Sequence, residues 1–268
     1  MKNREEDKAQ GAPLLEISAV SKSFGGVHAI REVSFSLMAG TITGLIGPNG
    51  AGKTTLFNLI TSVFPADSGT IRFCGENTGR TRINELVKKG IARTFQNVEL
   101  FESMSVLENI LVGQHTRTRC GILGSMLRPP WVRREEQNAR ENAAKLLEFV
   151  GLSDVAEKRC GDLPFGWQRL LELARALAAR PKLLLLDEPA AGLNIVETAA
   201  LGELIRKVQN TGVAILLVEH DMSLTMEVCD RIVVLDQGAK IAEDTPREVQ
   251  RNEAVIQAYL GKNRKTGE

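Results

Sequence analysis

The residues best suited to chemistry form one short run in the N-terminal third of the chain. The pattern G-x-x-x-x-G-K-[ST] is matched by Gly47, Pro48, Asn49, Gly50, Ala51, Gly52, Lys53, Thr54 and Thr55. Glycines at these places let backbone amides approach a phosphate without a Cβ clash, and the helix that follows points its positive end at the anion. In this pattern the lysine reaches the β- and γ-phosphates and the first hydroxyl binds Mg²⁺. The run therefore predicts a site for a nucleoside triphosphate, with Lys53 on the phosphates and Thr54 on the metal ion.

A second chemical element is the pair of carboxylates Asp187 and Glu188, which follows four consecutive leucines. Such an apolar run is typical of a strand buried on both faces in a parallel sheet, and ligands of α/β proteins bind where such strands end. Asp187 is suited to hold Mg²⁺ through water, and Glu188 to accept a proton from an attacking water. Because neighbours on a strand project to opposite sides, the pattern favours two separate roles over a shared acid–base dyad.

A sheet with flanking helices has to position these two elements. Alternating or continuous apolar residues predict strands at 14–20, 33–37, 41–46, 70–73, 182–187, 213–218 and 231–235. Helical periodicity and capping residues predict helices at 56–60, 105–112, 139–150 and 163–180, and another that opens at 245. The alternation of the two kinds of element favours βαβ units and a parallel sheet.

Composition removes several other classes of protein. The chain has 268 residues, 43% of them hydrophobic and 25% charged, which is typical of a globular domain. With 34 basic and 33 acidic residues the net charge is +1, so no overall basic field predicts a nucleic-acid partner. No window reaches the roughly 18 apolar residues of a spanning helix, and the charged start is unlike a secretory signal.

The cysteines point to no metal or disulfide framework. They form no Cys-x-x-Cys pair, so free thiols in a reducing cytoplasm are the expectation. The four positions are Cys74, Cys120, Cys160 and Cys229.

Together these motifs resemble the ATP-binding subunits of ABC transporters over nearly the whole chain. The resemblance implies further roles. Phe24 takes the position of the aromatic residue that stacks on adenine, and Gln96 that of the glutamine loop, which touches Mg²⁺ and senses the membrane subunit. His220 matches the switch histidine at the γ-phosphate, and Asn194 stands in the D-loop where aspartate is more usual. The implied catalytic residues are Lys53, Gln96, Glu188 and His220, and the implied Mg²⁺ ligands are Thr54, Gln96 and Asp187.

The signature segment departs from the family pattern. Where Leu-Ser-Gly-Gly-Gln is usual, residues 163–167 read Leu-Pro-Phe-Gly-Trp. A hydrogen bond to a charged group is worth ~1.5–3 kcal/mol, so loss of the serine hydroxyl predicts weaker closure on the γ-phosphate. In the family this segment covers the ATP held by a partner subunit. The residues implied to bind that nucleotide in trans are Pro164, Phe165, Gly166, Trp167 and Gln168.

Three features resemble one branch of the family, the LivG-type ATP-binding subunits of branched-chain amino-acid importers. They are the Arg-rich insertion at 115–134, the run at 187–194 and the end at 255–261. The ATPase subunits of urea or amide importers and of lipopolysaccharide export are alternatives, as is a slow ATP-gated clamp, suggested by Pro164. A soluble ABC protein that clamps DNA or ribosomes fits less well, because its coiled coil or second cassette has no room in 268 residues.

The resemblance also implies the architecture and the partners. The fold is an α/β P-loop NTPase cassette with a mostly parallel central sheet, an antiparallel β subdomain and an α-helical signature subdomain. One domain is expected at 13–262, with its helical part at about 97–180, between tails at 1–12 and 263–268. ATP and Mg²⁺ are the implied cofactors. The implied partners are a second ATP-binding subunit, two membrane permeases at the cytoplasmic face of the inner membrane and, indirectly, a periplasmic-type binding protein.

Overall fold

The structure, a computed structural model, describes residues 11–94, 99–115 and 130–260. The chain divides into two compact units. The first unit comprises residues 1–83 and 206–268, and the second comprises residues 84–205. Two helices, α2 (Ile83–Lys89) and α6 (Ile195–Asn210), cross the boundary between them.

The first unit contains an antiparallel sheet of four described strands in the order β2-β1-β4-β5. Alternation in β1 places Leu15 and Ile17 in the core, as the sequence predicts. The strand bounds are β1 Leu15–Phe24, β2 Val27–Leu37, β4 Ser68–Phe73 and β5 Glu76–Asn77.

The same unit holds strands in the order β10-β9-β3-β8. Strand β3 runs parallel to both β8 and β9, whereas β10 is antiparallel to β9. Every residue of β3 and of β8 is buried, which explains their continuous apolar sequence. The strands are β3 Ile42–Ile46, β8 Ala214–Val218, β9 Arg231–Asp236 and β10 Ala239–Asp244, and the helices are α1 Lys53–Ile60, α7 Met222–Val228, α8 Pro246–Arg251 and α9 Glu253–Leu260.

The second unit combines a parallel strand pair with a group of helices. Strands β6 (Ile91–Arg93) and β7 (Leu183–Asp187) pair in register from Ile91 opposite Leu183. Helices α3 (Val106–Gln114), α4 (Pro130–Val150) and α5 (Phe165–Ala178) pack on one another. The predicted capping box opens α3: Glu108 N–H donates to Ser105 Oγ at 3.1 Å, and Ser105 N–H to Glu108 Oε2 at 2.8 Å.

Parallel and antiparallel strands with helices confirm the predicted α/β fold class. Sequence patterns predicted no element for the short strands β5, β6 and β10, nor for helices α2, α6, α7 and α9. Strand β6 has three residues, which is too few for a periodicity to show. Helix α6 opens with Ile195 and Val196, which are 89% and 78% exposed, so its apolar pattern does not follow one buried face.

Several expectations fall on residues that the structure does not describe. Gln96, Cys120 and positions 116–129 of the Arg-rich insertion lie outside the described residues. Cys74, Cys160 and Cys229 form no disulfide in the described part of the chain, and burial raises the pKa of Cys229 to about 12, which keeps that thiol protonated. Within the described ranges no helix is long and apolar enough to cross a membrane.

Candidate nucleotide site and signature segment

The phosphate loop lies between β3 and α1, where the sequence places it. Gly52 is the N-cap of α1 and has a φ of 103°, a left-handed conformation that favours glycine. A Cβ on Gly52 would lie 2.6 Å from the carbonyl oxygen of Ala29 in β2. Glycine is therefore required here twice, by the backbone conformation and by the close approach of a neighbouring strand.

The neighbouring strands also hold the rest of this loop. A Cβ on Gly47 would clash with the carbonyl oxygen of Leu235, at the end of β9. Ala51 accepts a hydrogen bond of 3.1 Å from the backbone N–H of Gly238, in the turn after β9. Asn49 and Gly50 at the tip are exposed. The loop is thus fixed at its base and open to solvent at its tip, as a phosphate cradle must be.

Lys53 is held by the loop to which it belongs. Its ammonium donates to the carbonyl oxygens of Gly47, at 2.6 Å, and Pro48, at 3.2 Å. The side chain is 7% exposed. A buried ammonium over the loop's own carbonyls is already oriented toward the space that the loop encloses. An anion bound there gains a charge-assisted contact with little reordering of the lysine.

Phe24 is the aromatic residue expected to stack on adenine, and it is 46% exposed at the end of β1. Its ring meets Phe64 edge to face, with centroids 5.1 Å apart, and the Lys22 ammonium lies 5.4 Å from its centroid. Asp67 accepts from both Lys22 Nζ and Ser23 N–H at 2.7 Å. This exposed ring is therefore braced by partners that sequence reasoning missed.

The Lys22–Asp67 ion pair also affects the ionisation of Asp67. The hydrogen bond from Lys22 holds the pKa of the Asp67 carboxyl below its ordinary value. Desolvation acts in the opposite direction and is outweighed by these hydrogen bonds. The aspartate is thus ionised over the whole physiological pH range and keeps the backbone at Ser23 in place.

His220 is the second residue after the buried strand β8 and is exposed. Its backbone N–H donates to Glu219 Oε2 at 3.0 Å, and Glu219 itself is 4% exposed. Asp221 follows as the N-cap of α7 and accepts from Ser223 N–H at 2.8 Å. The histidine is therefore held between two anchored carboxylates. Sequence reasoning did not single out Glu219 as a partner of His220, because nothing in its pattern separates it from an ordinary acidic residue.

In the second unit, Asp187 is the last residue of β7 and is 4% exposed. Arg93, at the end of β6, donates from Nη2 to Asp187 Oδ2 at 2.8 Å. Sequence reasoning missed this partner, since the two residues are separated by 94 positions and only the pairing of β6 with β7 brings them together. The ion pair offsets part of the cost of burying this carboxylate.

Glu188 lies outside the strand and has a φ of 49°. The prediction that Asp187 and Glu188 point to opposite sides by strand alternation therefore rests on a wrong premise, because β7 ends at Asp187. A non-glycine residue in the left-handed region costs about 1–3 kcal/mol and is concentrated at functional sites. The half-buried Glu188 is thus aimed by the strained turn and not by the pleat of the strand.

The signature segment opens helix α5. Pro164 is its N-cap, with φ −54° and ψ 147°, and caps it with no side-chain hydrogen bond. Phe165 and Trp167 are 45% and 41% exposed, while Gly166 is buried. Gln168 turns back and donates from Nε2 to the carbonyl oxygen of Leu163 at 3.0 Å. The sequence predicted a helix over 163–180; the proline precedes its first turn instead of lying within it.

Asn194 acts as the N-cap of α6. Its Oδ1 accepts from the backbone N–H groups of Val196 and Glu197, both at 3.0 Å. Glu197 reciprocates, because its Oε2 accepts from Asn194 N–H at 2.9 Å. Asparagine is as good an N-cap as the aspartate usual at this D-loop position. This departure from the family pattern therefore leaves the local structure intact.

The predicted residues thus fall into two sets. The first unit contains the phosphate loop, including Thr54 and Thr55, as well as Phe24 and His220. The second unit holds Asp187, Glu188, the signature segment and Asn194. The roles of all these residues, and of Gln96, stay predictions.

Comparison with known proteins shows which families the sequence matches. Residues 30–191 match the family described as ABC transporter, and residues 239–264 match the family described as branched-chain amino acid ATP-binding cassette transporter.

Among relatives, the high-affinity branched-chain amino acid transport ATP-binding protein BraF of Pseudomonas aeruginosa is 44% identical over 250 residues, 93% of this chain and 98% of its own. The protein LivG of Escherichia coli (strain K12), which carries the same description, is 43% identical with the same coverage. A probable LivG of Methanocaldococcus jannaschii is 33% identical over 92% of this chain and 97% of its own.

Solved structures agree with these relatives. The crystal structure of an ATP-binding cassette of an ABC transporter in its ADP conformation superposes with a TM-score of 0.82 at 32% identity, covering 94% of this chain and 100% of that one. A nucleotide-free cassette from an ABC transporter gives 0.80 at 32% identity, covering 92% and 99%.

The fold and the phosphate loop define a nucleotide-binding cassette. By sequence and structure, the chain belongs to the ABC transporter family.

Proposed function

We propose that this chain is the ATP-hydrolysing subunit of an importer of branched-chain amino acids. The observation that carries the proposal is the complete phosphate loop, with Lys53 buried against its own carbonyl oxygens, in a chain whose C-terminal residues match the branched-chain amino acid branch of the family. The names of the relatives in Pseudomonas aeruginosa and Escherichia coli support the same cargo.

The reaction is in-line attack of water on the γ-phosphate of ATP. Lys53 offsets charge on the phosphate oxygens, Glu188 orients the water and takes its proton, and His220 contacts the γ-phosphate. Phe24 provides the exposed ring on which the adenine stacks. Most of the catalytic effect comes from positioning and charge, so the strained turn at Glu188 and the bonded backbone at His220 serve that purpose.

The donor set suits Mg²⁺. The Thr54 hydroxyl and the Asp187 carboxylate are oxygen ligands, and Mg²⁺ is usually held by one or two carboxylates together with substrate phosphates. The Asp187 carboxylate ends β7 beside the Arg93 guanidinium, 2.8 Å away. When bound, the metal ion neutralises charge on the β- and γ-phosphates. Gln96 is the third proposed ligand.

The working unit is a pair of ATP-binding subunits. The signature segment of each one covers the ATP of the other, so ATP closes a head-to-tail dimer and hydrolysis reopens it. Two permeases at the cytoplasmic face of the inner membrane take up this movement through the region of Gln96. A periplasmic-type binding protein delivers the amino acid from the other side.

The test is the variant Glu188→Gln in Mg-ATP. Its amide still holds the water but takes no proton, so we expect turnover to fall at least a hundredfold while an ATP-bound dimer accumulates in size-exclusion chromatography. Glu203→Gln, an exposed glutamate of α6, is the matched control and should behave as wild type. Hydrolysis near the wild-type rate in Glu188→Gln would remove Glu188 from its role.

A slow ATP-gated clamp is a second candidate, favoured by the absence of a side-chain cap at Pro164. Steady-state hydrolysis by the purified wild-type protein separates the two. If the chain powers an importer, we expect turnover of ~1–1,000 per second when it is reconstituted with its permeases, whereas a clamp binds ATP with negligible turnover. Import of leucine, against urea, into vesicles carrying the permeases separates the cargoes.

A further inference from the structure

Two glycines in the second unit have their Cβ positions filled by side chains from another segment. A Cβ on Gly166, in the signature helix α5, would lie 2.6 Å from Glu197 Oε1 of α6. A Cβ on Gly192, in the D-loop, would lie 2.8 Å from Phe165 Cε1 of the signature segment. Each segment therefore places one side chain where the other has none.

The carboxylate of Glu197 bridges both segments. One oxygen, Oε2, accepts from the D-loop backbone at Asn194 at 2.9 Å. The other oxygen, Oε1, lies against Gly166. Glu197 itself is fixed at its backbone, because its N–H donates to Asn194 Oδ1 at 3.0 Å. Movement of the signature helix thus cannot leave the start of α6 unchanged.

The second contact is held from its far side. The guanidinium of Arg169 lies 5.2 Å from the centroid of the Phe165 ring. Arg169 is 6% exposed and pairs with Glu172 at 3.4 Å. The ring is therefore braced by its own helix while its edge meets Gly192. Gly192 has a φ of 84°, which favours glycine independently of this contact.

We propose that these two contacts, Phe165 on Gly192 and Glu197 on Gly166, form an interlock that makes the signature segment and the D-loop of one subunit move together. Glu197 is then a positioning residue, since it acts on nucleotide only through Gly166. The consequence for ATP-driven dimerisation rests on the proposed function. The interlock itself is a property of the single chain.

The first test uses the free protein without nucleotide. Gly166→Ala introduces a methyl group at the Glu197 carboxylate, and Glu197→Ala removes that carboxylate. The unfolding equilibrium constants of the two single variants, the double variant and wild type form a double-mutant cycle in urea. We expect Gly166→Ala to lower the constant for folding about tenfold more when Glu197 is present than in the Glu197→Ala background. Equal costs in both backgrounds would overturn the interlock.

The second test measures the ATP concentration for half-maximal dimerisation in the Glu188→Gln background. We expect Glu197→Ala to raise it about tenfold, and Glu197→Gln, which keeps an oxygen for Asn194 N–H, to stay within about threefold of the parent. Glu203→Ala on the same helix is the control. A parent that fails to dimerise contradicts the proposed function but leaves the urea cycle to judge the interlock. A dimerising parent that is unaffected by Glu197→Ala overturns the positioning role.

Gly166→Ala in this background separates two explanations of the signature glycine. If the glycine serves only the partner's phosphate, alanine at this position harms dimerisation equally with and without the Glu197→Ala change. If the interlock holds, Gly166→Ala weakens dimerisation much less when Glu197 is already replaced by alanine than when Glu197 is present. Circular dichroism of each variant at the assay temperature confirms that a folded chain is being compared.

Discussion

The phosphate loop and the signature region are both predicted to hold backbone amides for a phosphate, and they are supported by different contacts. The lysine of the loop has local partners, because Lys53 bonds carbonyls five and six residues away. The signature region depends on residues distant in sequence, such as Glu197 against Gly166. The difference teaches that a motif is recognisable from sequence when its contacts are local. A motif tolerates substitution when residues distant in the sequence support it.

The largest effect is expected where a distant partner supports a buried charge. Arg93→Ala leaves the Asp187 carboxylate without its guanidinium in a position that is 4% exposed. Breaking a buried pair costs about 3–5 kcal/mol, so we expect the free energy of unfolding to fall by about 3 kcal/mol or more in urea titrations.

Two variants control that measurement. Arg140→Ala removes an exposed arginine of the same unit and should change stability little. Arg93→Lys keeps the charge but not the planar fork, so partial recovery is expected. Wild-type stability of Arg93→Ala would mean that the support of Asp187 is not this ion pair.

A loss of ATP binding is expected when the lysine of the phosphate loop is replaced. Lys53→Ala removes the ammonium that the loop keeps over Gly47 and Pro48. Hydrogen bonds to charged groups are worth ~1.5–3 kcal/mol, so isothermal titration should show roughly ten- to a hundredfold weaker ATP binding. The fold should persist, because the loop is also anchored to its neighbouring strands. Unchanged affinity would sink the assignment of the nucleotide site, and the exposed Lys88→Ala is the control.

Pro164→Ser sharpens the comparison because it gives the signature helix a side-chain cap of its own. Pro164 is the N-cap of α5 and offers no side-chain acceptor. A serine there can accept from the first-turn amides, which is worth ~1 kcal/mol of stability, and its hydroxyl can donate to the partner's γ-phosphate. We therefore expect a higher unfolding midpoint and dimerisation at lower ATP in the Glu188→Gln background. Equal or weaker dimerisation would mean that Gly166 and the helix end already suffice.

The smallest effect is expected at the solvent-exposed brace beside Phe24. The Lys22 hydrogen bond lowers the pKa of Asp67. A carboxyl with a lowered folded-state pKa contributes stability above its ordinary pKa and loses it as the pH falls through the lowered value. The free energy of unfolding of the wild type should therefore exceed that of Asp67→Asn by a small amount at pH 7, and this difference should vanish at strongly acid pH. A difference independent of pH would assign the effect to packing instead.

The sequence by itself determined what is local. The phosphate loop lies within nine residues, Gly47 to Thr55. In the structure its glycines have positive φ angles, a backbone conformation that favours glycine. The capping pairs at Ser105 and Thr245 lie within one turn, and the buried strand β7 reads as continuous leucine. For each of these, the residues that interact are the residues that form the pattern.

Only the tertiary structure decided which distant side chains support them. Arg93 reaches Asp187 because two strands pair, Phe64 and Asp67 reach Phe24 and Ser23 across a sheet, and Glu197 fills the space beside Gly166. None of these pairs has a fixed spacing in sequence, so no periodicity reports them. Their partners are selected by packing, which depends on the whole folded chain and leaves no local trace in the residues themselves.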